Sequence, residues 1–88
     1  MTGIVPCSRF QCYICGAPGK LHRHHCLHGS MRRKAESYGL TVFLCWDCHR
    51  RLHDYGEHDL ELQQVAQRAF EEKYDHELWM QEFGRNYL

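Results

Sequence analysis

Two Cys-x-x-Cys pairs, Cys12/Cys15 and Cys45/Cys48, constrain the fold of this 88-residue chain more than any other feature. Four thiolates complete the tetrahedral shell of one zinc ion. At this length the burial of apolar surface alone gives a marginal core, which a bound metal can reinforce. Six cysteines could also form a secreted disulfide framework, but Cys-x-x-Cys pairs beside histidines favour metal ligation. We therefore expect one domain, residues 1–88, that needs structural Zn²⁺ to fold.

Two cysteines lie outside these pairs. Cys26 falls in the apolar half of a predicted strand, which favours the role of a buried small hydrophobic residue. Cys7 is an alternative ligand, but the neighbouring Pro6 and the irregular spacing favour the paired cysteines instead. The expected zinc shell is therefore made of the two Cys-x-x-Cys pairs.

The histidines near these pairs exceed what one zinc site can use. Five of them flank the pairs: His22, His24, His25, His49 and His53. On a helix, His49 and His53 are four residues apart and lie on one face, so both can bind one ion. Cys48 and His49 are adjacent and diverge by about 100° of helical rotation. One short helix can thus hold the structural zinc on one side and a second metal on the other.

The order of predicted elements indicates an α+β fold. The core elements are a strand over residues 21–27, a short helix over 31–35, a strand over 41–44 and a helix over 46–54. Gly16, Pro18 and Gly19 favour a turn after the first cysteine pair. Ser30 is the expected N-cap of the first helix, which Gly39 would end. Gly56 would end the second.

Residues 57–88 are predicted to form a C-terminal helical extension. Apolar residues recur there at steps of three and four: Leu62, Val65, Ala66, Ala69 and Phe70. This pattern is typical of an amphipathic helix whose apolar face is core. Asp59 and Asp75 are the expected N-caps of two helices, and Gly84 would end the second.

Charge is strongly segregated along the chain. Residues 1–53 contain eight Lys/Arg and two Asp/Glu, a net charge of +6, whereas residues 54–88 contain three and nine, a net charge of −6. The basic half is the cysteine and histidine half, and it would attract a phosphate backbone. The alternative is that the segregation only keeps both faces solvated. No apolar run approaches the roughly 20 residues of a membrane span, and no leader is evident, so we expect a cytoplasmic protein without a membrane partner.

The metal-ligand pattern resembles that of the His-Asn-His (HNH) nucleases. The resemblance covers residues 12–53 and rests on Cys12-Tyr13-Ile14-Cys15-Gly16, on His24-His25, on Leu44-Cys45-Trp46-Asp47-Cys48-His49 and on His53. It implies a small zinc-bound ββα-metal fold, in which a β-hairpin and a helix hold one divalent ion, with additional C-terminal helices. The chain is most similar to small zinc-stapled HNH proteins of phages and prophages, which implies a bacterial host cell.

This resemblance implies a role for each matching histidine. His24, His49 and His53 would hold a catalytic divalent ion such as Mg²⁺, Mn²⁺, Ni²⁺ or Zn²⁺, while His25 would be the general base that activates water. The activity would be hydrolysis of DNA phosphodiester bonds, leaving 5′-phosphate and 3′-hydroxyl ends. Regular strand pleating would instead pair His22 with His24 on one face. If His24 and His25 form the site, His22 and His28 are expected to be ordinary surface histidines that could contact DNA.

The middle Asn of the family has no counterpart within the motif, because the one Asn of the chain is Asn86. Either Ser30 or Thr41 braces the hairpin loop in its place, or the site is less preorganised.

DNA is the expected partner, and several basic side chains are candidate phosphate contacts. These are Arg23, Arg32, Arg33, Lys34, Arg50 and Arg51. The C-terminal helices would pack on the nuclease core, pair with a second copy in a homodimer, or bind a partner protein.

Two other interpretations stay open. One is a non-catalytic zinc module that binds nucleic acid or protein, with His49 and His53 only decorating a helix. The other is a zinc site of mixed ligands, Cys12, Cys15, Cys45 and His49, which leaves Cys48 free.

Overall fold

The computed structural model describes residues 4–5 and 9–88, so Pro6 and Cys7 lie outside the described residues and the prediction about Cys7 stays a prediction. The strands are β1 (Leu21–His25) and β2 (Thr41–Cys45), and the helices are α1 (Arg32–Ser37), α2 (Trp46–Tyr55), α3 (Asp59–Lys73) and α4 (His76–Phe83). Over the described ranges the fold is therefore α+β, with one two-stranded sheet and four α-helices, which confirms the predicted class.

The sheet is an antiparallel hairpin whose register runs from the pair Leu21 and Cys45 to the pair His25 and Thr41. The segment around the first cysteine pair is hydrogen-bonded to β2 of this hairpin, because the backbone N–H of Tyr13 donates to the carbonyl of Phe43 at 2.8 Å. Successive side chains of a strand point to opposite faces. The hairpin therefore sends alternate β1 side chains towards different helices, and it brings Cys12 and Cys15 beside the end of β2.

Two predicted helix caps are wrong. Ser30 lies inside a 3-10 turn, Gly29–Met31, and α1 begins after Met31 with no side-chain cap. Asp59 is the first residue of α3, and the N-cap is His58, at φ 65°. The Asp59 carboxylate does not cap the helix because it accepts a hydrogen bond from His28. β1 also ends two residues earlier than predicted, at His25.

The C-terminal extension packs on the hairpin core and completes it. The fully buried large side chains come from both halves of the chain: Trp79, Phe70, Leu27, Leu40, Leu44, Leu62, Gln67, Val42 and Cys26. The predicted core face of α3 and the burial of Cys26 are thereby confirmed. Asp75 caps α4 as predicted, since its carboxylate accepts from the Leu78 N–H at 2.7 Å, and Gly84 follows at φ 68°.

Polar contacts also attach the extension to α1. Tyr38 donates its hydroxyl proton to the carboxylate of Glu82 at 3.0 Å, and Lys34 donates to the backbone carbonyl of the same residue at 3.0 Å. The Tyr38 ring packs edge-on against Phe70, with 5.0 Å between centroids. The described residues thus show the extension packed on the core, while a homodimer and a partner protein stay predictions. No described helix has both the length and the apolar character that crossing a bilayer requires.

Candidate metal centres

The four paired cysteines converge on one point. Their sulfur atoms, from Cys12, Cys15, Cys45 and Cys48, all lie within 4.8 Å of one another, and the Cys15 and Cys45 sulfurs are 3.8 Å apart. Two thiolates on one tetrahedral zinc, each about 2.3 Å from the metal, are separated by about 3.8 Å. The described cysteines are all free of disulfides. This cluster can hold a metal ion such as zinc, as the sequence predicts.

Backbone geometry prepares the cluster for a cation. Burial acts to raise the pKa of Cys12, but N–H groups of Cys15, Cys45 and Ile14 point at its sulfur and lower the pKa to about 6. The pKa of Cys48 is raised, by burial and by hydrogen bonds among the sulfurs. The Cys48 N–H also donates to the Cys45 sulfur at 3.5 Å, which caps α2. These N–H donors favour thiolates, and thiolates are what zinc binds.

Three histidines form a second cluster on the other side of α2. The ring nitrogens of His24, His49 and His53 lie within 4.8 Å of one another, and the Nε2 atoms of His49 and His53 are 3.0 Å apart. Ligand nitrogens about 2.0–2.1 Å from a tetrahedral ion are separated by about 3.3 Å. The helix supplies two of these imidazoles one turn apart, and the hairpin supplies the third.

His24 is the buried member of this cluster. Its side chain is 3% exposed, and its Nε2 atom is buried with no hydrogen-bond partner among the described residues. Burial, and then the neighbouring His49, His28 and His53, lower the pKa of His24 to about 4. The pKa of His49 is also lowered, first by burial. A neutral imidazole with an unpaired buried nitrogen fits a metal ligand, because an ion would satisfy the orphaned atom.

His22 and the mixed-ligand zinc shell are the alternatives that the structure disfavours. His22 shares a face with His24, as regular pleating predicts, and stacks on His49 with 5.6 Å between ring centroids. It is absent from the three-histidine cluster. Cys48 groups with the other cysteines and His49 groups with histidines, which favours the four-thiolate shell over the mixed shell of the alternative interpretation.

His28 and Asp59 belong to the same neighbourhood, which the sequence did not indicate. His28 Nε2 lies 2.6 Å from a carboxylate oxygen of Asp59, and with His24 the two residues form a further group that could hold an ion. Sequence alone predicts that His28 is an ordinary surface histidine. The two partners are 31 residues apart, and no local pattern links them.

His25 has different neighbours from His24. Its side chain is 14% exposed and contacts α1, where Arg32 Nε donates to Nδ1 at 3.3 Å and Glu36 lies 3.4 Å from Nε2. An open groove of about 620 Å³ lies beside it, lined by His25, Gly29, Ser30, Arg32, Arg33 and Glu36. The structure therefore joins His25 to one cation, Arg32, and one carboxylate, Glu36, rather than to the three-histidine cluster.

The other predicted phosphate contacts are exposed and pair with acids. Arg23 lies 3.1 Å from Glu36, and Lys34 contacts α4 as described above. Arg50 and Arg51 lie on α2, 3.5 Å and 3.3 Å from carboxylate oxygens of Asp47. Exposed pairs of this kind are weak, so these side chains can exchange an acid for a phosphate at little cost.

Comparisons of this chain with protein-family models, with curated proteins and with solved structures each found no match. The function is therefore argued from the geometry of the two clusters and their surroundings.

Proposed function

We propose that this protein is a metal-dependent endonuclease that hydrolyses DNA phosphodiester bonds, in the manner of the HNH nucleases that residues 12–53 resemble. One observation carries the proposal. His24, His49 and His53 converge within 4.8 Å of one another, and the buried Nε2 of His24 has no partner among the described residues. A zinc-stabilised scaffold alone has no need of a second cluster of this kind.

The cysteine cluster would hold structural zinc, and the three-histidine cluster would hold Mg²⁺, Mn²⁺, Ni²⁺ or Zn²⁺. Three protein ligands leave coordination positions open for substrate, as in catalytic rather than structural sites. An ion bound there would supply Lewis-acid stabilisation of the charge that develops on the phosphate. His24 fixes one side of this site from the rigid hairpin, and α2 fixes the other.

His25 would act as the general base through Nδ1. A guanidinium can only donate, so the hydrogen bond from Arg32 requires an acceptor at His25 Nδ1. The proton of the neutral ring then sits on Nε2 and points to Glu36. When Arg32 turns to a phosphate, the Nδ1 lone pair is released and can take a proton from water. Glu36 would be a positioning residue that holds this tautomer.

The groove beside His25 suits a phosphodiester. Arg32 and Arg33 line it, and guanidinium groups bind phosphate oxygens through paired, charge-assisted hydrogen bonds. The whole segment 1–53 carries a net charge of +6, which draws a nucleic-acid backbone towards this half of the molecule. Recognition through phosphates places the strand without selecting a base sequence.

The test is nicking of a supercoiled plasmid with and without added divalent metal. The natural protein should nick it in a metal-stimulated reaction, and His25→Ala should slow nicking by about 10²- to 10⁴-fold. Zinc content and far-ultraviolet circular dichroism should stay unchanged. His58→Ala is the matched control, because His58 is exposed and its imidazole pairs with the exposed Glu61, 2.9 Å away. Cutting by His25→Ala at the natural rate would remove the assignment of the base.

The rival interpretation is a zinc module without catalysis. It predicts one metal ion per chain by elemental analysis and no metal-stimulated nicking, whereas the nuclease proposal predicts two ions per chain at saturating metal. His49→Ala with His53→Ala should remove one of the two ions and leave the zinc of the cysteine cluster in place.

A further inference from the structure

An exposed tryptophan stands beside the histidine cluster. Trp46 is the first residue of α2 and is 62% exposed, whereas the other tryptophan, Trp79, is 0% exposed. Trp46 lies directly after a zinc-cluster cysteine and one helical turn before His49. A large ring in this position contributes little to the core and leaves most of its surface accessible to a ligand.

Two successive ring contacts link Trp46 to the three-histidine cluster. The Trp46 and His22 rings are tilted, with centroids 5.6 Å apart. His22 in turn stacks on His49 at the same centroid distance, with only 24° between the ring planes. A flat group that packs on Trp46 and His22 would therefore lie next to the proposed catalytic ion.

The helix spacing and the hairpin register place two basic residues near this aromatic surface. Arg50 is four residues after Trp46 and shares its helix face. Lys20 immediately precedes Leu21, which pairs with Cys45, so Lys20 and Trp46 stand at the same end of the hairpin. Aromatic rings between basic side chains are the pattern by which proteins bind single strands, with bases on the rings and phosphates on the cations.

We propose that Trp46 and His22 form a stacking platform for an unpaired nucleobase, so that the preferred substrate is a single-stranded or unpaired stretch of DNA beside the cleaved phosphate. This inference rests on the proposed nuclease function and names its substrate class. A base inside a duplex has both faces covered by its neighbours, and only an unstacked base offers a face to Trp46.

The experiment compares two ligands of equal charge. One is a short thymidine oligonucleotide, and the other is an abasic sugar-phosphate strand of the same length. Binding is measured with zinc-loaded protein carrying His25→Ala, in which cleavage is expected to be too slow to consume the strand during the measurement. Trp46→Ala should weaken binding of the thymidine strand by about 5- to 140-fold, the value of one stacked base, and should leave binding of the abasic strand unchanged.

Two controls sharpen this test. Tyr55→Ala removes a 72%-exposed aromatic residue from the other end of the same helix and should leave both affinities unchanged. Trp46→Tyr keeps an aromatic face and should restore most of the lost affinity. Tryptophan emission should be quenched by the thymidine strand in the natural protein, but not in Trp46→Tyr, whose remaining tryptophan is buried.

The platform is overturned if Trp46→Ala and its parent bind the thymidine strand equally well. It is also overturned if Trp46→Ala loses as much affinity for the abasic strand, or if Tyr55→Ala loses as much affinity for the thymidine strand. Cleavage is scored separately, with single-stranded and duplex oligonucleotides and the natural protein. Faster cutting of the single strand supports the inference, and cutting of duplex alone overturns it while leaving the nuclease proposal standing. Trp46-dependent binding without any cleavage removes the nuclease proposal and retains the platform.

Discussion

Replacing His24 with leucine should stabilise the protein when the histidine cluster is metal-free and should abolish its response to metal. His24 is 3% exposed, and its Nε2 has no hydrogen-bond partner among the described residues. A buried polar atom without a partner costs about 1–3 kcal/mol. Leucine has a volume close to that of histidine, so the replacement removes this cost without opening a large cavity.

The expected magnitudes have opposite signs in the two metal states. Without the second ion, His24→Leu should raise the free energy of unfolding by about 1–3 kcal/mol. For a domain of this size, each kcal/mol raises Tm by about 4–8 °C. With divalent metal at about 1,000 times its Kd, the natural protein gains about 4.1 kcal/mol and the variant gains nothing. The order of stability then reverses.

Urea unfolding followed by circular dichroism measures both states, starting from protein that holds one zinc ion per chain. His53→Leu is the matched control, because His53 is an exposed member of the same cluster. It should lose the response to metal, yet change metal-free stability by no more than about 0.5 kcal/mol. If His24→Leu destabilises the metal-free protein, or if metal stabilises it as much as the natural protein, the reasoning about an orphaned ligand is refuted.

Two further predictions concern the zinc and the base. Cys45→Ser should leave the chain unfolded, as measured by circular dichroism. Serine keeps the α2 cap, but the lost zinc contributes about 10–16 kcal/mol, which is comparable with the whole stability of a small domain. A strong chelator should also unfold the natural protein, and a Cys45→Ser variant that is folded without zinc would contradict the prediction. Glu36→Gln should slow single-turnover cleavage roughly tenfold at unchanged zinc content, because the Nε2–H of His25 loses the carboxylate that holds its tautomer. An unaltered rate would remove Glu36 from the site.

The parts of the site that follow from local spacing could be predicted from sequence. Each Cys-x-x-Cys pair brings two sulfurs together within one turn, and the four-residue step from His49 to His53 puts two imidazoles on one helix face. A hairpin between the two cysteine pairs is then enough to join them, and the register of β1 and β2 adds His24. These groupings need only short-range geometry and one antiparallel pairing.

Contacts that depend on packing between distant segments could not be predicted. An aspartate before an amphipathic run predicts a helix cap, but the carboxylate of Asp59 pairs with His28, 31 residues earlier in the chain. The approach of Glu36 to His25 likewise depends on how α1 folds back over the hairpin. For Asp59 a tertiary contact overrides a local preference, and for Glu36 and His25 it adds a contact that no local pattern indicates.

The two clusters depend on each other through α2. Leu52 is the one residue of this helix that is fully buried among the described residues, so its main apolar contact with the core lies in its C-terminal half. Its other end is held by Cys45 and Cys48, and His49 follows at once. Side-chain tips lie about 5–6 Å from a helix axis, so a rotation of about 10° moves an imidazole by about 1 Å, which is more than a catalytic site tolerates. Zinc in the cysteine cluster would fix that rotation, and the position of His49 relative to His24 therefore depends on the structural metal as much as on the core.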